Sequence, residues 1–151
     1  MTDFVKLVSC EAELLQDEGE DLFRQIPAHH WDSQVGRPRA AAFGPSDADK
    51  GKVSYSRSTE VTADESRAWH NGNARSASMG VYKVTVDEVV KASLRAVDDS
   101  GCPVPLGDKR APGHCFVDFQ HVIDDKKEQR RLRGLLYAHA LKWGEIESQS
   151  A

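Results

Sequence analysis

From Asp124 onward the apolar residues fall at Leu132, Leu135, Leu136, Ala140 and Trp143, the spacing of one helix face, and the run stops at Gly144. Acids open this segment (Asp124, Asp125, Glu128) and Lys142 closes it, in agreement with the dipole of a helix. A helix with one apolar stripe must lie on an apolar surface, and strands are there to supply it. "DLFRQIP", closed by Pro27, and the alternating "KVSYSR" both read as strands. In "SMGVYKVTV" the residues Tyr82, Val84 and Val86 share a face. In "HCFVDFQHV" Cys115, Val117 and Phe119 take one face and His114, Phe116 and Asp118 the other.

Two further helices are marked by their caps. "TADE" makes a capping box, with Thr62 as N-cap and Glu65 reaching back to it, and this helix should end near "HNGN" at Gly72. "DEVVKASLRAV" reads as a short helix capped by Asp87. The opening "FVKLVSCEAELLQ" fits a strand or a short helix equally. Strands and helices mix without strict alternation, so the expected class is α+β. We expect a single compact domain over 1–151, with a small, mostly antiparallel sheet and three or four helices including the C-terminal amphipathic one. Long polar loops are expected near 28–50 and 98–113.

Composition bounds the function. A chain of 151 residues can bury roughly two thirds of its unfolded surface, and 39% hydrophobic content with 29% charge is that of a globular chain. The net charge of −4 gives no overall footprint for nucleic acid. The three cysteines, Cys10, Cys102 and Cys115, are an odd number at wide spacings, neither a disulfide framework nor a zinc pattern. The acidic N-terminus lacks the basic flank and apolar run of a signal peptide. No apolar run reaches the ~20 residues needed to cross a bilayer. The expectation is a soluble, reduced, cytoplasmic protein with no membrane attachment.

The candidate chemistry is dispersed. His114 and Cys115 point to opposite faces of their strand, and no element carries a paired ligand motif, so no metal site is expected. Cys115 reads as a small buried hydrophobe, and His139 as a partnered, partly buried histidine on the helix stripe. No nucleophile elbow and no phosphate loop is present. Lys126, Lys127, Arg130, Arg131 and Arg133 crowd the last helix. They read as a solvated face first and as a weak nucleic-acid contact second. Arg37, Arg39, Arg57 and Ser54 form a polar, basic neighbourhood around "GKVSYSR", suited to phosphate or acidic groups.

The order of Arg24 in "LFRQ", then the Ser-Tyr strand, then Glu65 opening a helix resembles the first half of the ADP-ribosyltransferase-like fold, in particular the RES-domain toxins that consume NAD. That resemblance covers about residues 22–66. It implies that Arg24 holds phosphate, Tyr55 positions the nicotinamide ribose and Glu65 assists at the scissile bond, with NAD or another nucleotide as substrate. The stretch "GRPRAAAFGPSDADKGK" departs from the pattern expected before the tyrosine strand. Over most of its length the chain also resembles small uncharacterised bacterial proteins that share an L-[FY]-R-Q opening, a G-R-P…A-F segment and a T-A-[ED]-E helix start. The leading expectation is a small bacterial binding or accessory protein that works with a protein partner and needs no cofactor. An NAD-consuming enzyme is the alternative, and nucleic-acid binding by the last helix the third.

Overall fold

The alternation of buried and exposed residues along each short segment is realised as strands in the computed structural model, which describes residues 11–104 and 107–148. In chain order these are β1 (Glu11–Leu14), β2 (Asp21–Gln25), β3 (Trp31–Asp32), β4 (Arg37–Pro38), β5 (Lys52–Arg57), β6 (Val81–Thr85), β7 (Arg95–Gly101) and β8 (His114–Asp118). Six of them make one sheet in the order β1-β7-β8-β5-β2-β6, with every neighbouring pair antiparallel; β3 and β4 form a separate two-stranded ribbon. The helices are α1 (Ala63–Asn73), α2 (Val86–Lys91) and α3 (Lys126–Trp143), beside short 3-10 turns. The class is α+β, with the amphipathic helix at the C-terminal end.

One face of the sheet carries the main core. Leu22, Val53, Tyr55, Tyr82, Val84, Ala96, Cys115 and Val117 meet Leu132, Leu136 and Ala140 of α3 there. The buried stripe of α3 is displaced from the one its sequence implies. Leu135 is 40% exposed and Trp143 53%, because the contact follows the i, i+4 row through residues 132, 136 and 140 with Tyr137 and Leu141 beside it, which turns Leu135 and Trp143 outward. Asp125 caps this helix through the Glu128 N–H at 3.0 Å.

Several expectations are corrected. The cap of α2 is Thr85, not Asp87: its hydroxyl accepts from the Glu88 N–H while the Glu88 carboxylate accepts from the Thr85 N–H. That helix stops at Lys91, and residues 95–101 are β7 rather than helix, so the second long loop begins only after Gly101. The reversal passes through Ser93 at φ 61, a left-handed turn that ends the helix. The 28–50 segment is not an open loop. It holds the β3–β4 ribbon and three 3-10 turns, buries Pro38, Ala42 and Phe43, and is tied to α3 by Tyr137 Oη donating to the Pro38 carbonyl at 2.7 Å. Turns this short carry no hydrophobic period, so the segment resembles loop in composition alone.

Of "FVKLVSCEAELLQ", residues 11–14 are strand; the part before Glu11 lies outside the described residues. The capping box on α1 is formed, and the helix runs through Gly72 to end at Asn73. Cys102 is disulfide-bonded, which corrects the expectation of reduced thiols for that residue. Cys115 is free and fully buried. No helix among the described residues is long and apolar enough to cross a membrane.

The packed 28–50 segment contains an acid-sensitive group. Burial, helped by His29, Arg24 and Arg133 and opposed by Asp49, pushes the His30 imidazole down to about 4. An unfolded histidine titrates near ~6.5, so between these values the unfolded chain binds a proton that the folded chain refuses. The stability from neutral His30 is therefore present above the unfolded value and lost as pH falls through about 4. Urea midpoints measured from pH 7 down to pH 4 should fall less steeply in His30→Asn than in the parent; equal slopes would contradict this.

Candidate functional site

The second face of the sheet is polar where the first is apolar, and the register decides what meets on it. Phe23 pairs with Ser56, Ser56 with His114, Ser54 with Phe116, and Val97 with Phe116. Directly opposed residues share a face, so these side chains all stand on the side away from α3. Ala12 and Leu14 cover Val97 and Phe116, while α1 lies over β2. Between α1 and the 107–111 segment a cleft of about 780 Å³ stays open. Ser54, Ser56 and His114 form its floor, Trp69, His70 and Asn73 one wall, and Lys109 and Arg110 the other.

Ser54 and His114 are joined by hydrogen bonds to each other and to Asp99, which also lines the cleft. The β7–β8 register brings Asp99 beside His114, and Asp99 Oδ1 lies 2.7 Å from His114 Nδ1. His114 Nε2 reaches diagonally across to β5 and lies 3.1 Å from Ser54 Oγ. An ionised carboxylate only accepts, so the Asp99 contact places the proton on Nδ1 and leaves Nε2 to accept from the serine hydroxyl. Ser54 is exposed, while His114 and Asp99 are part-buried. A glycine sets the start of β8. Gly113 has φ +68, and a Cβ there would meet the Glu60 Cβ at 3.0 Å. Its carbonyl accepts from the Arg57 N–H at 2.8 Å, which holds the strand at the point where His114 emerges.

Below the cleft runs a second polar chain. Gln25 Nε2 donates to Ser66 Oγ at 3.0 Å, and Ser66 donates to Ser56 Oγ at 2.9 Å. In the wall, His70 Nε2 donates to the Ser76 carbonyl at 3.0 Å, and burial lowers its pKa. Arg110 is held by the carbonyls of Ser100 and Cys102.

The residues singled out in sequence are distributed differently. Arg24 shares the core-facing side with Leu22. Its Nε donates to the Ala42 carbonyl at 2.7 Å and its Nη1 to the Ser54 carbonyl at 3.4 Å, and desolvation lowers its pKa. Tyr55 lies in the core at 2% exposure, where burial raises its phenol. Glu65 sits on the helix that covers the other face, occupied with the Thr62 N–H at 2.8 Å. Arg24 and Tyr55 thus lie together, with the sheet between them and Glu65.

Arg57 is committed to Glu20 and Asp98, and its pKa is raised chiefly by the Glu20 hydrogen bond. Arg37 and Arg39 are exposed on the ribbon side, the latter 3.8 Å from Asp32, and neither lines the cleft. On α3, Lys126 meets Asp47 at 3.4 Å, Arg131 pairs with Glu128, Arg133 packs over Gly44, and Lys127 and Arg130 are exposed. His139 Nδ1 lies 3.1 Å from Glu88 Oε2, so it is partnered as expected. Among the described residues no three His, Cys, Asp or Glu side chains gather as a metal cluster.

Ser54 alone of the predicted residues belongs to the hydrogen-bonded set. His114 and Asp99 do not emerge from the sequence in this role, because Asp99 falls in the 98–113 segment that reads as loop and His114 bears there only on the metal question. The usable signal was the alternation that puts Ser54 and His114 each on the side away from a core residue, Tyr55 and Cys115. Comparison of the chain with family models, curated proteins and solved structures finds no match.

Proposed function

We propose that this chain is a hydrolase acting on acyl substrates, with Ser54 as nucleophile, His114 as general base and Asp99 as the group that orients the imidazole. One observation carries this reading: His114 bridges Asp99 and Ser54 at 2.7 and 3.1 Å on the floor of an open cleft. A nucleophile held by a base that is itself held by a third group is the arrangement acyl transfer needs, whatever the fold.

Ser54 Oγ attacks the substrate carbonyl and its proton passes to His114 Nε2. As the tetrahedral species collapses, His114 returns that proton to the leaving group and the acyl chain stays on Ser54. Water then enters along the same path, and His114 takes its proton as the water oxygen bonds to the acyl carbon. The imidazolium returns that proton to Ser54 Oγ as the Oγ–carbon bond breaks and the acid product leaves. Asp99 fixes the tautomer and stabilises the imidazolium that forms twice in the cycle. Lys109 and Arg110 on the wall give the cleft positive charge, which favours substrates carrying an acidic group.

The test is covalent. A fluorophosphonate probe should label the protein once, at Ser54 by peptide mapping, and a p-nitrophenyl ester should be turned over at a rate that Ser54→Ala reduces to background. Labelling elsewhere, or turnover unchanged in Ser54→Ala, overturns the proposal.

A further inference from the structure

Gln25 is 7% exposed, lines the cleft, and its Oε1 has no hydrogen-bond partner among the described residues. Its amide nitrogen is already committed to Ser66. A buried acceptor left unpaired is a liability for folding alone, and a group that marks what the site is built to bind.

The sheet places this acceptor beside the nucleophile. Leu22 pairs with Arg57 and Phe23 with Ser56. Gln25 lies two residues on from Phe23 and Ser54 two before Ser56, so both stand on this same face, on adjacent strands, and both line the cleft. Adjacent strands run about 4.8 Å apart, a span that one small functional group can bridge. The polarity of the chain beneath is also defined. Gln25 donates to Ser66, and Ser66 donates to Ser56, so the free end at Gln25 is an acceptor.

A carbonyl attacked by Ser54 has its leaving atom next to it, and an ester leaving oxygen has no proton to offer Gln25. An amide nitrogen does. We infer that the site is an amidase, in which Gln25 Oε1 accepts the N–H of the scissile carboxamide while Ser54 attacks its carbonyl. This rests on the hydrolase reading above. In the step, the Ser54 Oγ–carbon bond forms and the carbon–nitrogen bond breaks. His114 passes the serine proton to the departing nitrogen, which leaves as ammonia or a primary amine. Water then regenerates Ser54 and releases the carboxylic acid. Gln25 also turns the nitrogen by holding its N–H, so that its lone pair is free to take the proton from His114.

The experiment uses the full chain and substrates with one acyl group presented as p-nitroanilide, primary amide and p-nitrophenyl ester. The parent should cleave the amides. In Gln25→Met the ratio of amide to ester rates should fall by about tenfold or more, since only the amide loses a hydrogen bond. Because both rates come from the same sample, partial misfolding lowers them together and leaves the ratio as the readout. A ratio unchanged in Gln25→Met, or a parent whose Ser54 labels with fluorophosphonate yet cuts no amide, overturns the inference. Failure of Ser54 to label removes the hydrolase reading itself.

Discussion

Replacing Asp99 with Asn is expected to reduce ester and amide turnover by on the order of 10³–10⁴-fold while the protein stays folded. The expectation follows from which proton sits where. Asp99 accepts from His114 Nδ1 at 2.7 Å, and this leaves Nε2 unprotonated toward Ser54. An asparagine at the same place offers its NH2 to Nδ1, which turns the imidazole into the tautomer with its proton on Nε2. That proton then faces the serine hydroxyl, and the base is lost although every side chain keeps its place. Asp99 is at the part-buried edge of β7, so a neutral near-isostere should shift the unfolding midpoint little. A merely structural ion pair makes the opposite forecast: altered stability and unaltered turnover. Ser54→Ala, His114→Ala and the double variant should fall to a common floor, because residues that act as a unit are not additive. Turnover in Asp99→Asn within a few-fold of the parent would remove His114 and Asp99 from the chemistry.

How far the sequence reaches is clearest at β5. Alternation alone assigns Tyr55 and Arg57 to one face and Ser54 and Ser56 to the other, and that division is correct. What one segment cannot supply is which face becomes the core. The apolar rows of β6 and β8, together with the stripe of α3, draw Val53 and Tyr55 inward. The tyrosine that stood out as functional is thereby buried, and the modest serine beside it is presented to solvent. The capping box at Thr62 is legible because both partners lie within four residues; the box of the same spacing at Thr85 and Glu88 is hidden because Thr85 also continues the alternation of β6. The Asp99–His114–Ser54 chain is not legible, because it joins three strands and depends on two registers, which are long-range properties. Arg24 shows the converse limit. Its strand is legible, but its guanidinium satisfies the carbonyl of Ser54 on the neighbouring strand and that of Ala42, which lies in a segment whose 3-10 turns leave no period to read.

Arg57→Met is expected to destabilise the protein by about 3–5 kcal/mol, the largest effect on folding of any change considered. Arg57 forks onto Glu20, with Nε 2.9 Å from Oε2 and Nη2 3.0 Å from Oε1, and its Nη1 meets Asp98 at 2.6 Å. The Glu20 side chain is wholly buried, and Thr59 Oγ1 donates to it at 2.8 Å. Removing the guanidinium leaves two carboxylates in low dielectric with no cation between them. A lysine does not restore the fork, so Arg57→Lys should recover only part of the loss. Glu20→Gln combined with Arg57→Met should cost less than the two single changes together, since it removes the stranded charge as well. The pH dependence has a definite sign. Burial would raise Asp98, but hydrogen bonds from Ser100 and Arg57 outweigh it and hold the carboxyl below its ordinary value. Its contribution is present above the unfolded carboxylate pKa and lost as pH falls through the lower folded one, so the penalty of Arg57→Met should shrink in acid. Urea unfolding at neutral and acidic pH measures both effects; a neutral-pH loss below about 1 kcal/mol would mean the network is only decorative. The same network bears on function. Arg57 ends the strand that carries Ser54, and Asp98 adjoins Asp99, so this ion pair clamps β5 to β7 across β8. Arg57→Met should therefore lose turnover even at temperatures where it remains folded, because the three strands that align Ser54, His114 and Asp99 are no longer locked in register.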